Sequence, residues 1–121
     1  MEAWSNINGT AAVEYAIVAP VFIGLIVSAF YFCMGLFMIG SLHYAVEEGA
    51  RCASVKTTVC TNSSTTLSYT ASHYYGPAAS PTFTYTPNLP CGNAVAASVN
   101  FVANLGLQTV TIPMSASACF P

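Results

Sequence analysis

Hydrophobic and polar residues are distributed unevenly along this chain of 121 residues. Residues 15–42 form one uncharged, almost continuously apolar stretch, and the rest of the chain carries shorter hydrophobic segments separated by polar residues. As an α-helix the apolar stretch would be roughly 40 Å long, which exceeds the ~30 Å hydrocarbon core of a bilayer. We therefore predict that residues 10–55 form one long apolar helix. A kink or local melting is expected at Pro20, because proline lacks the N–H that a helix interior needs.

The second half of the chain predicts a short helix and three strands. The polar run that starts at Asn62 is suited to cap a helix, and the Gly-Pro pair at 76–77 would end it. Alternating residues predict one strand at 82–86 and a hairpin with arms at 94–103 and 107–118. The expected fold class is α+β: a long N-terminal membrane-spanning helix, then a small disulfide-bonded head with a short helix and a three-stranded antiparallel sheet.

The predicted hairpin can be given a register. One face of the first arm is expected to carry Val95, Ala97, Val99, Phe101 and Ala103. One face of the second arm is expected to carry Gln108, Val110, Ile112, Met114 and Ala116. Opposite residues of antiparallel strands share a face, so the register must pair odd positions with even ones. Phe101 opposite Val110 satisfies this condition and implies a tight turn at Leu105-Gly106.

Five cysteines are present, and four of them lie outside the apolar stretch. These four are Cys52, Cys60, Cys91 and Cys119. An even number of cysteines in this part of the chain predicts two disulfides in an oxidising compartment. The alternative is zinc, which needs closely spaced Cys or His pairs, and the wide spacings here favour disulfides. Cys33, inside the apolar stretch, is expected to be a small buried hydrophobic residue.

The hairpin register suggests how the cysteines pair. Continued to the open end of the hairpin, it places Cys91 one position out of step with Cys119. A single bulge would bring the two sulfurs together, and Pro113, which cannot donate to the ladder, is a natural place for it. By elimination, Cys52 pairs with Cys60 across the turn that ends the long helix.

Charged residues are scarce, with two basic and four acidic side chains in the whole chain. They are Glu2, Glu14, Glu47, Glu48, Arg51 and Lys56. So few basic groups argue against nucleic-acid binding, and a head without charge after Lys56 should associate with neighbours. No nucleophile motif or phosphate-binding loop is visible, and acid–base groups are nearly absent. We expect a structural protein, not an enzyme, with no catalytic residues and no cofactor. No metal is expected either, because His43 and Glu47, one helical turn apart, are too few ligands.

Glu14 stands out because an ionised carboxylate among the apolar side chains of a membrane helix is costly without a partner. Gly9 and Thr10 precede it in the run GTAAVEYAIVAPVF, and the run YAVEEGARCAS follows one helix length later. Counted from Thr10, Glu14 is the fifth residue, as in the processing signature of type IV pilin-like proteins. Over residues 9–54 the chain resembles the TadE-like pilins of the tight-adherence (Flp) secretion system.

The resemblance implies a route of processing and assembly. Residues 1–9 would be a leader that a prepilin peptidase removes between Gly9 and Thr10, although such leaders are usually rich in Lys and Arg and this one has neither. Residues 10–55 would be the membrane span and later the filament core, and residues 56–121 would be the head. The Glu14 carboxylate would meet the freed N-terminal amine of Thr10 of a subunit and so set the register of assembly.

The resemblance also implies partners and a location. The partners would be other pilin subunits in a homo- or hetero-filament, an inner-membrane assembly platform and, before assembly, membrane lipid. The protein would wait in the bacterial inner membrane and then enter an extracellular pilus that serves surface attachment. Arg51 and Lys56 would favour a cytoplasmic head by the positive-inside rule, whereas the cysteines favour the oxidising side. We place the head outside the cytoplasm.

A second hypothesis is a single-span membrane protein that never polymerises and whose small extracytoplasmic head binds a partner or a surface. Its support is a set of aromatic residues that would suit an adhesive face: Tyr69, Tyr74, Tyr75 and Tyr85. The N-terminus distinguishes the two hypotheses. A filament subunit should begin at Thr10, whereas a stationary anchor should keep the residues near Met1.

Overall fold

The computed structural model describes residues 2–77 and 80–121, and their fold is the predicted α+β fold. In chain order the elements are α1 (Glu2–Val55), α2 (Ser63–Ser72), β1 (Thr82–Leu89), β2 (Gly92–Asn104) and β3 (Thr109–Phe120). The three strands form one antiparallel sheet in the order β1-β2-β3. The chain divides into two compact units, Met1–Cys33 and Met34–Pro121.

The long apolar helix predicted for residues 10–55 is present, and α1 is longer than that prediction. It begins at Glu2, so it includes residues 2–9 of the expected leader. Helical structure continues without a break past Pro20, and the local melting predicted there does not occur. The helix therefore tolerates the hydrogen bond that this proline cannot make.

The hydrophobic core lies in the unit Met34–Pro121, between the second half of α1 and one face of the sheet. The helix contributes buried side chains at helical spacing, namely Met38, Leu42, Ala45, Val46, Ala50, Cys52 and Ala53. Gly35 lies beside Phe101 and Met114, and Asn93 donates a hydrogen bond to Ser54. These two contacts show that β2 runs antiparallel to this part of α1.

The two faces of the hairpin carry the predicted residues, but the predicted register differs from the observed one by two residues. The side chains of β2 that alternate toward the helix are buried: Val95, Ala97, Val99, Phe101 and Ala103. Phe101 pairs with Ile112 instead of Val110. The arms meet at the pair Asn104–Thr109, so the connection is a four-residue loop and not a tight turn at Leu105-Gly106. A shift of two residues keeps the side-chain alternation, which is why the faces are unaffected.

The predicted bulge at Pro113 is absent, because β2 and β3 pair without interruption and Pro113 lies opposite Asn100. Pro113 is tolerated because β3 is an edge strand. The irregularity occurs instead in β1, between Thr86 and Leu89, where Asn88 has a φ of 60°. Strand β1 therefore extends past the predicted limit at residue 86 and ends in the turn that leads to Gly92.

Helix α2 begins as the sequence predicts. The Asn62 side chain accepts a hydrogen bond from the Thr65 backbone N–H at 2.9 Å, and the Thr65 hydroxyl accepts one from the Asn62 N–H at 3.0 Å. This reciprocal capping box fixes the start of the helix. The helix ends at Ser72, before the Gly-Pro pair, with His73 as its cap. Its buried positions, Thr66 and Thr70, face the core.

Candidate processing and assembly segment

Gly9, Thr10 and Glu14, the predicted processing and assembly residues, all lie within α1 and are exposed. No heavy atom lies within 4 Å of the position that a Cβ on Gly9 would occupy. One helical turn separates Thr10 from Glu14, so the helix carries both residues on the same face. The segment is therefore accessible to a peptidase or to another subunit, while cleavage and assembly stay predictions.

The side chains on both sides of Glu14 are mostly apolar and exposed. More than half of the surface is accessible at Val13, Tyr15, Ile17, Val18, Val21, Phe22, Ile23, Leu25, Ile26, Phe30 and Phe32. The helix Gly9–Val55 is long and apolar enough to cross a membrane, and none of its most apolar window is buried. A core helix of a soluble protein would have this surface covered. Such a surface requires either lipid or other polypeptide chains around it.

The Glu14 carboxylate makes no hydrogen bond or ion pair with the part of the chain that the structure describes. The next charged residues along the sequence are Glu47 and Glu48, and the first basic one is Arg51. A cation for Glu14 must therefore come from the chain terminus that processing would create or from another molecule. This is the electrostatic basis for treating Glu14 as an assembly residue.

The disulfide Cys52–Cys60 joins the last turn of α1 to the segment that leads into α2. Its S–S distance is 2.03 Å and its Cα atoms are 5.8 Å apart. The Lys56 N–H donates to the Cys52 carbonyl at 2.9 Å and so closes the last turn of α1. The Lys56 ammonium donates to the Tyr69 hydroxyl at 3.1 Å and lies 5.5 Å from the ring centroid. This contact fixes α2 next to the end of α1, and the sequence pattern did not indicate it.

The disulfide Cys91–Cys119 closes the end of the sheet opposite the β2–β3 loop. Its Cα atoms are 6.0 Å apart, and Cys91 lies in the turn between β1 and β2, outside the ladder, so no bulge is needed. Next to it, the Asn93 amide donates to the Ser54 hydroxyl at 3.0 Å. The Ser54 hydroxyl in turn donates to the Phe120 carbonyl at 2.8 Å. Both cysteine pairs are those assigned from the sequence.

Cys33 and His73 lie in different surroundings. Cys33 is exposed and not buried as predicted, because the apolar part of α1 in which it lies has its side chains exposed. His73 Nδ1 is 2.8 Å from the Tyr69 carbonyl oxygen, and its ring lies 4.2 Å from the Tyr69 ring. Within the described residues, no group of three or more His, Cys, Asp or Glu side chains could hold a metal ion.

The tyrosines of the second hypothesis do not form one exposed face. Only Tyr75 among the four is largely exposed, at 65%. The Tyr74 hydroxyl donates to the Pro77 carbonyl at 3.0 Å, and partial burial raises the pKa of this phenol. Tyr69 contacts Lys56, and Tyr85 donates to Asn93 at 3.4 Å. Three of the four side chains thus hold the head together.

Comparison with protein families tests the resemblance to TadE-like pilins. Residues 9–51 match the family described as TadE-like protein. The predicted TadE-like resemblance is confirmed. The TadE-like match begins at Gly9 and ends at Arg51, so it covers the candidate segment and nearly all of the apolar helix but not the disulfide-bonded residues. Comparison with curated proteins and with solved structures gives no match. The TadE-like family is pilus-associated and structural, not catalytic.

Proposed function

We propose that this chain is a structural pilin subunit that assembles through its N-terminal helix into a tight-adherence pilus for surface attachment. The observation that carries the proposal is the TadE-like segment itself: a long helix with an exposed apolar surface and a single carboxylate, Glu14, near its start. Lipid would cover this surface before assembly, and the helices of neighbouring subunits would cover it afterwards. The protein would therefore move from the inner membrane to the cell surface.

In this proposal a prepilin peptidase cuts after Gly9, and an inner-membrane platform extracts the processed chain, which begins at Thr10. The new Thr10 amine then pairs with a Glu14 carboxylate within the packed helices. A buried ion pair contributes little net stability, but a buried charge left without its partner costs about 3–5 kcal/mol. Misregistered subunits would suffer this cost, so the pair acts by selecting the correct register.

The test compares Glu14→Gln with Glu47→Gln, which makes the same chemical change at an exposed position near the head. Each variant is expressed in the native host without the wild-type gene, and its amount is measured in the membrane fraction and in sheared surface material. We expect both variants to reach wild-type levels in the membrane. The sheared amount of Glu14→Gln should fall at least about tenfold, because the registering charge is lost, whereas Glu47→Gln should be incorporated normally.

Equal incorporation of Glu14→Gln and the wild type would contradict the assembly role. The non-polymerising membrane protein, whose head acts while the helix stays in the bilayer, makes a different prediction. It would be the better account if even the wild-type protein were absent from sheared material. The same experiment therefore distinguishes the two functions.

A further inference from the structure

The loop end of the β2–β3 hairpin, residues 102–112, exposes apolar side chains on both faces; we call it the hairpin tip. Leu107 is completely exposed, and Val102, Leu105, Val110 and Ile112 are each more than a third exposed. No charged residue is present in the tip. A cluster of exposed aliphatic side chains is unfavourable in water and indicates a surface that something else covers.

Two backbone N–H groups of the tip are hydrogen-bonded within the tip itself. The Leu105 N–H donates to the Gln108 carbonyl at 3.0 Å, and the Gly106 N–H donates to the Asn104 side-chain oxygen at 3.0 Å. Gly106 adopts a φ of 84°, which glycine tolerates without strain. Peptide groups that lack hydrogen-bond partners are the main obstacle to placing a loop near hydrocarbon. These internal hydrogen bonds lower that obstacle at Leu105 and Gly106.

The tip lies at the end of its unit where α1 enters. Phe101 packs beside Gly35, close to Met34, the first residue of the unit. From Phe101 the strand continues away from Ser54, which lies beside Asn93 at the other end of the sheet. Leu105 is four residues beyond Phe101, or about 13 Å along a strand. The tip therefore extends past the level of Gly35, the second residue of its unit.

We propose that the hairpin tip inserts into the interfacial region of the phospholipid bilayer that holds the apolar helix and serves as a second, shallow membrane contact. The inference rests on the membrane stage of the proposed function. The apolar helix is joined covalently to Met34 and Gly35, and the tip lies at the end of its unit that carries these two residues. Because the tip is uncharged, its insertion should depend on apolar burial and not on anionic headgroups.

The experiment places a single tryptophan at chosen positions in the full chain, reconstituted in phosphatidylcholine vesicles with or without bromine on the acyl chains. Trp4, the only native tryptophan, is replaced by phenylalanine in every protein. The probe is Leu107→Trp. The matched control is Leu89→Trp, since Leu89 is an exposed leucine at the end of β1, at the opposite end of the sheet. Phe22→Trp reports on the apolar helix itself.

The expected result is a blue-shifted Leu107→Trp emission that shallow bromines quench, while Leu89→Trp emits as in water and is not quenched. Leu107→Trp emission should not change with added salt. If Phe22→Trp is quenched by bromines near the bilayer centre but Leu107→Trp behaves like Leu89→Trp, the inference fails and the membrane stage stands. If Phe22→Trp is not quenched, the membrane stage itself fails. A Leu107→Trp emission that is blue-shifted but not quenched would show that protein covers the tip, which also overturns the inference.

Discussion

Gly49 of α1 lies against the side chain of Thr70 in α2. A Cβ at this position would overlap the Thr70 hydroxyl and come within 3.2 Å of the other side-chain carbons of that residue. Thr70 is fully buried, and its hydroxyl donates to the Thr66 carbonyl at 2.8 Å, so the side chain cannot move aside without losing a buried hydrogen bond. The absence of a side chain at Gly49 thus permits the two helices to pack.

Gly49→Ala should lower the free energy of unfolding of the head by about 1–3 kcal/mol, because the added methyl group overpacks a core that has no room for it. Gly40→Ala is the matched control, since Gly40 is an exposed glycine of the same helix with no atom within 4 Å of its Cβ position. Gly40→Ala should raise the free energy of unfolding by about 0.5–1 kcal/mol. Urea unfolding of the detergent-solubilised protein, followed by near-UV circular dichroism, measures both. Equal effects of the two substitutions would refute the proposed close contact.

Single residues differ in how far the sequence predicts them. Glu14 is recognisable without a structure because it is a lone carboxylate in an apolar helix of defined length. Gly49 is not, because its role depends on a contact with Thr70 from another element. The same holds for Ser54, whose hydroxyl joins Asn93 to the Phe120 carbonyl. Periodicity along one segment carries no information about such partners.

At the scale of elements, the sequence predicts which segments form and which face is buried, but not the register. The alternation in β2 has a period of two, so it fixes the inward face from Val95 to Ala103 and leaves shifts of two residues undetermined. The loop decides between these registers. Within it the Leu105 N–H donates to the Gln108 carbonyl and the Gly106 N–H donates to the Asn104 side-chain oxygen, contacts that periodicity along the strands does not indicate.

The two disulfides are expected to stabilise the head unequally. Replacing Cys91 and Cys119 together by serine should cost about 2–4 kcal/mol, and replacing Cys52 and Cys60 together about 1 kcal/mol less. The reason is loop length, since the sequence separations are 28 and 8 residues. Cys33→Ser is the control and should leave stability unchanged, because its side chain is exposed and forms no disulfide.

Unfolding in urea measures these differences, and peptide mapping without reduction tests the pairing itself. We expect one peptide pair that contains Cys52 and Cys60 and another that contains Cys91 and Cys119. A peptide that links Cys60 to Cys91 would contradict both assignments at once. It would also contradict the position of Cys91 in the turn before β2.

At the scale of the whole molecule, the chain combines an exposed apolar helical segment with a unit that has its own hydrophobic core. The apolar side chains of residues 9–33 are exposed and need a nonaqueous environment, whereas the unit Met34–Pro121 has a core of its own and two disulfides. The TadE-like match covers residues 9–33 and the first part of the unit Met34–Pro121, up to Arg51. The sequence predicts the long apolar stretch, because length, hydropathy and charge are directly visible in it, whereas the expected division between residues 55 and 56 stays a prediction. The sequence does not predict the contacts within the head.

The central claim is that the chain is processed after Gly9 and then enters a surface filament. The most direct measurement is the N-terminal sequence and intact mass of the protein recovered from sheared surface material of the native host. We predict a chain that begins at Thr10 and retains both disulfides. Recovery of a surface chain that still begins at Met1 would contradict the claim, because Glu14 would then have no adjacent N-terminal amine to pair with.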